Sequence, residues 1–218
     1  MPNLPISQLP AAGSLTGSEL FATVQDSVTK YTTLSDISTY TTYLQGNNYG
    51  LFNQTGSSIP VSGSDPTGSL IDGGVGTLSV PANGFAKGDA FRALMFGKLN
   101  AAGGGVDLEI TIESDGTTLA DTGVITMPTV TDKNWQLDIN FSINELGGAG
   151  TAEIASAGTF TFRTDSAGDV VTEIFSTINN TTFDTTINNT LRITAIWSGN
   201  ADADDTIYSQ LFTLRKIY

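Results

Sequence analysis

The C-terminal two thirds of the chain alternate apolar and polar residues with a period of two, the pattern of strands that bury one face. The clearest case is 106–113, where Val106, Leu108, Ile110 and Ile112 share one face. The pattern recurs over 135–143, 159–163, 191–197 and 207–217, and 91–99 and 170–178 are further predicted strands. No long helical period intervenes, so this region is predicted to be all-β.

Turn-forming residues separate these strands, among them Asp115-Gly116, Gly147-Gly148 and Asn179-Asn180. About eight or nine antiparallel strands at this spacing predict a β-sandwich, with a jelly roll as the expected arrangement. The fold class is therefore mainly β: an antiparallel β-sandwich head over 76–218, preceded by a small N-terminal arm of extended and short-helix segments.

Residues 1–45 form that arm. Pro2, Pro5 and Pro10 favour an extended start, two short strands are predicted near 19–24 and 29–34, and a brief helix follows. A piece this small cannot bury its own apolar residues, so it is predicted to anchor the chain and to form trimer contacts. The residues expected to do so are Leu4, Ile6, Leu9, Leu15, Leu20, Val24, Leu34 and Ile37. Residues 46–75, rich in Gly, Ser and Asn, are predicted to be a linker.

Charge and composition remove several classes of function. Nine Lys and Arg against 22 Asp and Glu give a net charge of -13, which would repel a nucleic-acid backbone. The chain has no cysteine and no histidine, which excludes disulfides, Cys/His zinc sites and imidazole bases. It shows neither a secretory signal nor an apolar run long enough for a membrane span, so neither export by a signal peptide nor membrane insertion is expected.

The candidate catalytic and metal-binding side chains are all acidic. Asp107, Glu109 and Glu113 lie on the polar face of a predicted strand, which we interpret as a solvated face rather than a catalytic pair. Asp202, Asp204 and Asp205 lie within four positions of a loop between two predicted strands. We interpret that loop as a solvated turn and keep a calcium site as the alternative, since calcium prefers oxygen ligands. No catalytic residue and no other cofactor is predicted, and Trp135 and Trp197 are expected in the core.

The arm resembles the N-terminal segment of phage fibre and virion-appendage proteins. The resemblance rests on Ile6-Ser-Gln-Leu-Pro10, Leu15-Thr-Gly-Ser-Glu19, Val24-Gln-Asp-Ser-Val-Thr29 and Thr32-Thr-Leu-Ser-Asp-Ile37, in that order and spacing. Asp26-Ser27 stands where the family hairpin often has a glycine. The segment covers under a fifth of the chain.

This resemblance implies a homotrimeric virion protein, assembled in the host cytoplasm and attached by its N-terminus to a capsid or tail protein. The C-terminal part resembles the jelly-roll heads of such fibres and of tumour-necrosis-factor-type trimers, where aromatic residues of the last strands form the threefold contact. Tyr208, Phe212 and Tyr218 are the corresponding candidates here, although each also suits an ordinary core. A host surface glycan is a further candidate partner.

Two other interpretations of the function remain open at this point. The first is a cement protein that stabilises the capsid without touching the host. The second is a carbohydrate-binding lectin or a polysaccharide-degrading enzyme, which would need carboxylates or aromatic residues converging on one loop face.

Overall fold

A computed structural model describes residues 20–25, 28–33, 50–166 and 168–217 of the chain. The contacts divide the chain into two compact units, Met1–Asn47 and Asn48–Tyr218. Strands are the regular elements of the described ranges, and every strand pairing among them is antiparallel.

The first unit contains an antiparallel hairpin of β1 (Leu20–Gln25) and β2 (Val28–Thr33). The register pairs Leu20 with Thr33 and Gln25 with Val28, while Asp26 and Ser27 lie outside the described residues. The remaining arm candidates, Leu4, Ile6, Leu9, Leu15, Leu34 and Ile37, lie outside the described residues, as does the predicted helix. Only the backbone is described at Leu20 and Val24.

The second unit is built from two sheets. The eight-stranded sheet has the order β14-β13-β12-β8-β16-β3-β6, with β4 also pairing with β16. Its strands are β3 (Phe52–Gln54), β4 (Val61–Ser62), β6 (Gly74–Gly76), β8 (Ala90–Ala101), β12 (Val130–Glu145), β13 (Glu153–Arg163), β14 (Val170–Asn179) and β16 (Thr206–Lys216).

The six-stranded sheet has the order β10-β9-β15-β5, with β11 pairing with β9 and β7 with β15. Its strands are β5 (Thr67–Ser69), β7 (Ser79–Val80), β9 (Asp107–Ser114), β10 (Thr117–Asp121), β11 (Ile125–Thr126) and β15 (Asn189–Ser198). Asp115 and Gly116 both have positive φ between β9 and β10, as a two-residue type I′ turn requires.

The core lies between the inner faces of the two sheets. Alternate residues of β12, from Trp135 to Ile143, are buried, and so are Leu108, Ile110 and Ile112 of β9. Both tryptophans are in the core, with Trp135 Nε1 donating to the Lys98 carbonyl and Trp197 Nε1 to the Val61 carbonyl. The predicted antiparallel β-sandwich is confirmed, because the period-two pattern supplies one apolar face to each strand.

The segment predicted as a linker is different in the structure. From residue 50 onward it contributes β3, β4, β5 and β6 to the two sheets, and Phe52, Val61 and Leu70 are buried in the core. These strands have two or three residues each, too few to show a period in the sequence. Residues 50–75 are therefore part of the sandwich.

Candidate assembly surface

The last strand, β16, lies inside the eight-stranded sheet, between β8 and the short strands β3 and β4. Its register against β8 shifts between Ser209 and Leu211, which marks a β-bulge. A bulge inserts one residue and so moves the following side chains to the other face of the sheet. Before it Ile207 and Ser209 point inward, and after it Phe212 and Leu214 do.

Phe212 therefore belongs to the ordinary core, one of the two places that the sequence left open, and not to an oligomer axis. It is fully buried in the sandwich, with its ring centroid 5.9 Å from that of Phe52. Tyr208 is half-buried on the outer face, opposite Lys98 of β8. Tyr218 lies outside the described residues.

The outer face of β8 and β16 carries an apolar group that we call the central patch: Leu94, Phe96, Tyr208, Leu211 and Thr213. Phe96 and Leu211 are direct cross-strand neighbours and are 38% and 44% exposed. Thr213 faces Leu94, and its Oγ1 is buried without a hydrogen-bond partner in the described structure. Large apolar side chains grouped on an outer sheet face are typical of a contact surface.

The two outer faces of the sandwich differ in charge. The strands β8 and β16 have no acidic residue, and Arg92, Lys98 and Arg215 lie on their outer face. The carboxylate of Asp138, on β12, forms a bidentate ion pair with the Arg92 guanidinium, which raises the pKa of Arg92. On the opposite sheet, β9 places acidic residues outward. The eight-stranded face is thus the less acidic side of a strongly acidic protein.

The edge strand β14 carries a second exposed apolar group, Val170, Ile174 and Ile178, which we call the β14 stripe. Ile174 is 81% exposed and Ile178 is 67% exposed. All three lie on the outer face, opposite Arg163, Thr159 and Ala155 of β13. A ten-residue edge strand with such exposed side chains can pair or pack with another chain.

The acidic loop at Asp202–Asp205 uses its carboxylates for hydrogen bonds within its own turn. Asp205 is buried, and its Oδ2 accepts the Asp202 backbone amide at 2.9 Å, while Asp202 Oδ1 accepts the Asp204 amide at 2.8 Å. Two of the three carboxylates thus stabilise their own turn. Within the described residues, no three acidic side chains come together as a metal-binding group.

The carboxylates of β9 occupy a strand face. Asp107 Oδ1 accepts the Thr126 hydroxyl at 2.8 Å, and Glu113 lies opposite Arg192 of β15. Asp107, Glu109 and Glu113 alternate with the buried residues of the strand, as the sequence predicted. Cross-strand partners of this kind stabilise a sheet surface.

Sequence reasoning missed the central patch and the β14 stripe. The alternation in 91–99 and 170–178 predicts the strands, but it does not indicate which strand faces are left uncovered. The signal that could have found the stripe is the run of β-branched residues at every fourth position of β14, on the face expected to be polar.

Comparison of the chain with protein-family models, curated proteins and solved structures gives no match. In the part of the chain that the structure describes, no helix has the length and hydropathy needed to cross a membrane.

Proposed function

We propose that this chain is a structural virion protein of a bacteriophage, a homotrimeric fibre or capsid-decorating spike. The N-terminal arm attaches it to a capsid or tail protein, and the C-terminal sandwich is displayed as the head. Its mechanism is binding rather than chemistry. Three equivalent heads give avidity to weak contacts with a host surface, such as a glycan.

The order of the strands supports a jelly-roll head. The first strands of the sandwich, β3 and β4, pair with the last strand, β16. The next strands, β5 and β7, pair with the penultimate long strand, β15. Pairing of first strands with last strands in both sheets is what the Greek-key connections of a jelly roll produce.

The central patch is the main observation that supports a trimer. Phe96 and Leu211 lie side by side in the middle of a sheet face, on two strands without acidic residues. On a monomer this face would be an exposed apolar surface, whereas a symmetric assembly covers it. In the arm, the β1–β2 hairpin matches the position of the hairpin in the fibre segment that it resembles.

Light scattering on the full-length protein tests the proposal. We expect a mass three times 22.8 kDa for the wild type and a smaller mass for Leu211→Asp, which places a charge in the central patch. Ile59→Asp serves as the charge control, since Ile59 is 78% exposed and lies outside strands β8 and β16, and circular dichroism confirms that each variant is folded. A wild-type monomer would contradict the trimeric virion protein.

Two assays separate this proposal from its alternatives. Release of reducing ends from host polysaccharide would indicate an enzyme instead. For a cement protein, removal would lower the heat resistance of the capsid and leave adsorption intact, whereas antibodies against residues 76–218 block adsorption if the protein is a fibre.

A further inference from the structure

One row of side chains crosses the outer face of the eight-stranded sheet from edge to edge. The registers connect Ile174 of β14 to Thr159, Asp138 and Leu94, in that order. They continue from Leu94 through Thr213 and Asn53 to Val75 of β6. The row therefore begins and ends with an exposed aliphatic side chain, since Ile174 is 81% and Val75 71% exposed.

The β6 end of this row contains a hollow. A shallow depression of about 350 Å³ is lined by the outward-facing residues Asn53, Val75, Thr213 and Arg215 and by their neighbours on β3, β6 and β16. Thr213, in the depression, is the residue of the central patch whose hydroxyl has no partner among the described residues. The opposite end, on β14, projects the β14 stripe.

We propose that the β14 stripe of one protomer packs against the β6 edge of the next protomer, around a threefold axis that runs along the strands. This contact rests on the trimer of the proposed function and assigns its surfaces. Ile174 and Val75 belong to one row perpendicular to the strands, so rotation about such an axis brings them to the same height. Ile174 of one copy then meets Val75 and the depression of its neighbour.

The β14 stripe and the β6 edge of one protomer are too far apart to contact each other. The two edges are separated by six inter-strand steps in the path from β14 to β6. At about 4.8 Å per step, they lie about 29 Å apart. The two surfaces are different, so the contact is heterologous, and a heterologous contact that closes after three copies gives a ring.

The size of the face suits a stable assembly. It is about 29 Å wide, and ten residues along a strand span about 33 Å, which gives an area of about 950 Å². A standard protein interface buries about 800 Å² per partner. Each protomer would divide this area between two neighbours, about 475 Å² for each, so the two contacts together bury about as much of a protomer as one standard interface does. The central patch would be enclosed at the axis. The exposed edge of β14 would also be covered.

Engineered cysteines test this arrangement in the full-length protein, which has no cysteine of its own. The variant carries Ile174→Cys and Val75→Cys together and is oxidised under mild conditions. A disulfide requires Cα atoms within about 7 Å, so the two cysteines of one chain cannot pair. We expect a covalent trimer on a non-reducing gel, since each chain would be linked to both neighbours.

The single variants are the matched controls. Ile174→Cys alone and Val75→Cys alone are expected to stay uncrosslinked, because each cysteine would face a residue of the other kind. A covalent dimer from Ile174→Cys alone would overturn the proposal. That outcome would indicate twofold pairing of β14 with β14, in which Val170 and Ile178 lie symmetrically about Ile174. Absence of any crosslink in the double variant would overturn it as well.

A non-covalent measurement separates this proposal from the proposed function. Ile174→Asp is expected to lower the mass of the full-length protein from trimer towards monomer, with an unchanged circular dichroism spectrum. Ile59→Asp is the control, since Ile59 is 78% exposed and lies away from this row. A wild-type trimer that persists in Ile174→Asp would overturn the assigned surfaces and leave the trimer standing. A monomeric wild type would overturn both.

Discussion

Gly97 of β8 lies directly opposite Trp135 of β12, so close that a side chain at Gly97 has no room. A Cβ atom there would come within 2.9 Å of the indole, and it would clash with the Tyr208 carbonyl of β16 on the other side. Glycine in the middle of a strand often marks such a close approach. The contact allows β8 to pack between two neighbours while the large Trp135 ring stays in the core.

We therefore expect Gly97→Ala to lower the free energy of unfolding by about 3 kcal/mol, the upper range for overpacking. Gly56→Ala is the control, because a Cβ at Gly56 meets no atom within 4 Å. Urea denaturation followed by tryptophan fluorescence measures both. Equal stability of the two variants would show that the strands around Gly97 move apart at little cost.

The buried ion pair between Lys216 and Asp89 leads to a second prediction. Their side chains lie 2.7 Å apart and are 15% and 8% exposed, and Asp89 also accepts the Ala86 amide. Lys216→Met would leave a buried carboxylate without its cation, so we expect a loss of about 3 kcal/mol. Asp89→Asn added to Lys216→Met should recover part of this loss, as a double-mutant cycle in urea would show. Equal stability of the single and double variants would contradict a coupled pair.

The sandwich itself could be predicted from the sequence, because long strands such as β9 and β12 repeat the period-two pattern over many residues. The short strands at 50–80 could not, since two or three residues show no period. Their places depend on contacts with β15 and β16, more than 100 residues further along the chain. Composition rich in Gly and Ser therefore indicated a linker where the chain forms strands at the edges of both sheets.

The candidate surface was harder to predict for a related reason. Period-two counting puts Tyr208 and Phe212 on the same face of β16, but the bulge after Ser209 separates them. A single inserted residue has no sequence signature that alternation can detect. Likewise, the exposure of Ile174 follows from the position of β14 at the sheet edge, which is a long-range property of the fold.

The separation of Tyr208 and Phe212 leads to a third prediction. Phe212→Ala should destabilise the head by about 3–5 kcal/mol, because it leaves a cavity in the core. Tyr208→Ala should leave the unfolding of the head nearly unchanged and weaken association of the protomers instead. Thermal unfolding and light scattering on both variants distinguish the two effects. A large loss of stability in Tyr208→Ala at low protein concentration would contradict its place on the outer face.

A fourth prediction concerns pH and the β13–β14 connection. The Asp165 carboxylate accepts the Thr131 hydroxyl at 2.6 Å and the Thr131 amide at 3.0 Å, and it pairs with Lys133 at 3.1 Å. These interactions, with the Thr131 hydroxyl first, hold the pKa of Asp165 below its usual value. A lowered pKa in the folded state stabilises the protein above the unfolded value of about 3.9, and the contribution is lost as the pH falls through the lowered pKa.

Asp165→Asn should therefore be less stable than the wild type at pH 7, and the difference should shrink as the pH falls below about 4. Thermal unfolding between pH 7 and pH 2.5 measures this difference. Asp72→Asn is the control, at an exposed carboxylate with no ion pair in the described structure. A difference between Asp165→Asn and the wild type that stays constant with pH would argue against this linkage.

The acidic turn at Asp202–Asp205 gives the last prediction. Because Asp205 Oδ2 accepts the Asp202 amide and is buried, its removal leaves that amide without a partner. We expect Asp205→Ala to cost about 1–3 kcal/mol, and to cost the same in calcium as in chelator. Asp204→Ala is the control, since the Asp204 carboxylate accepts no hydrogen bond in the described structure and is exposed. A melting temperature that rises with calcium in the wild type but not in Asp205→Ala would contradict this account and indicate a metal site in the turn.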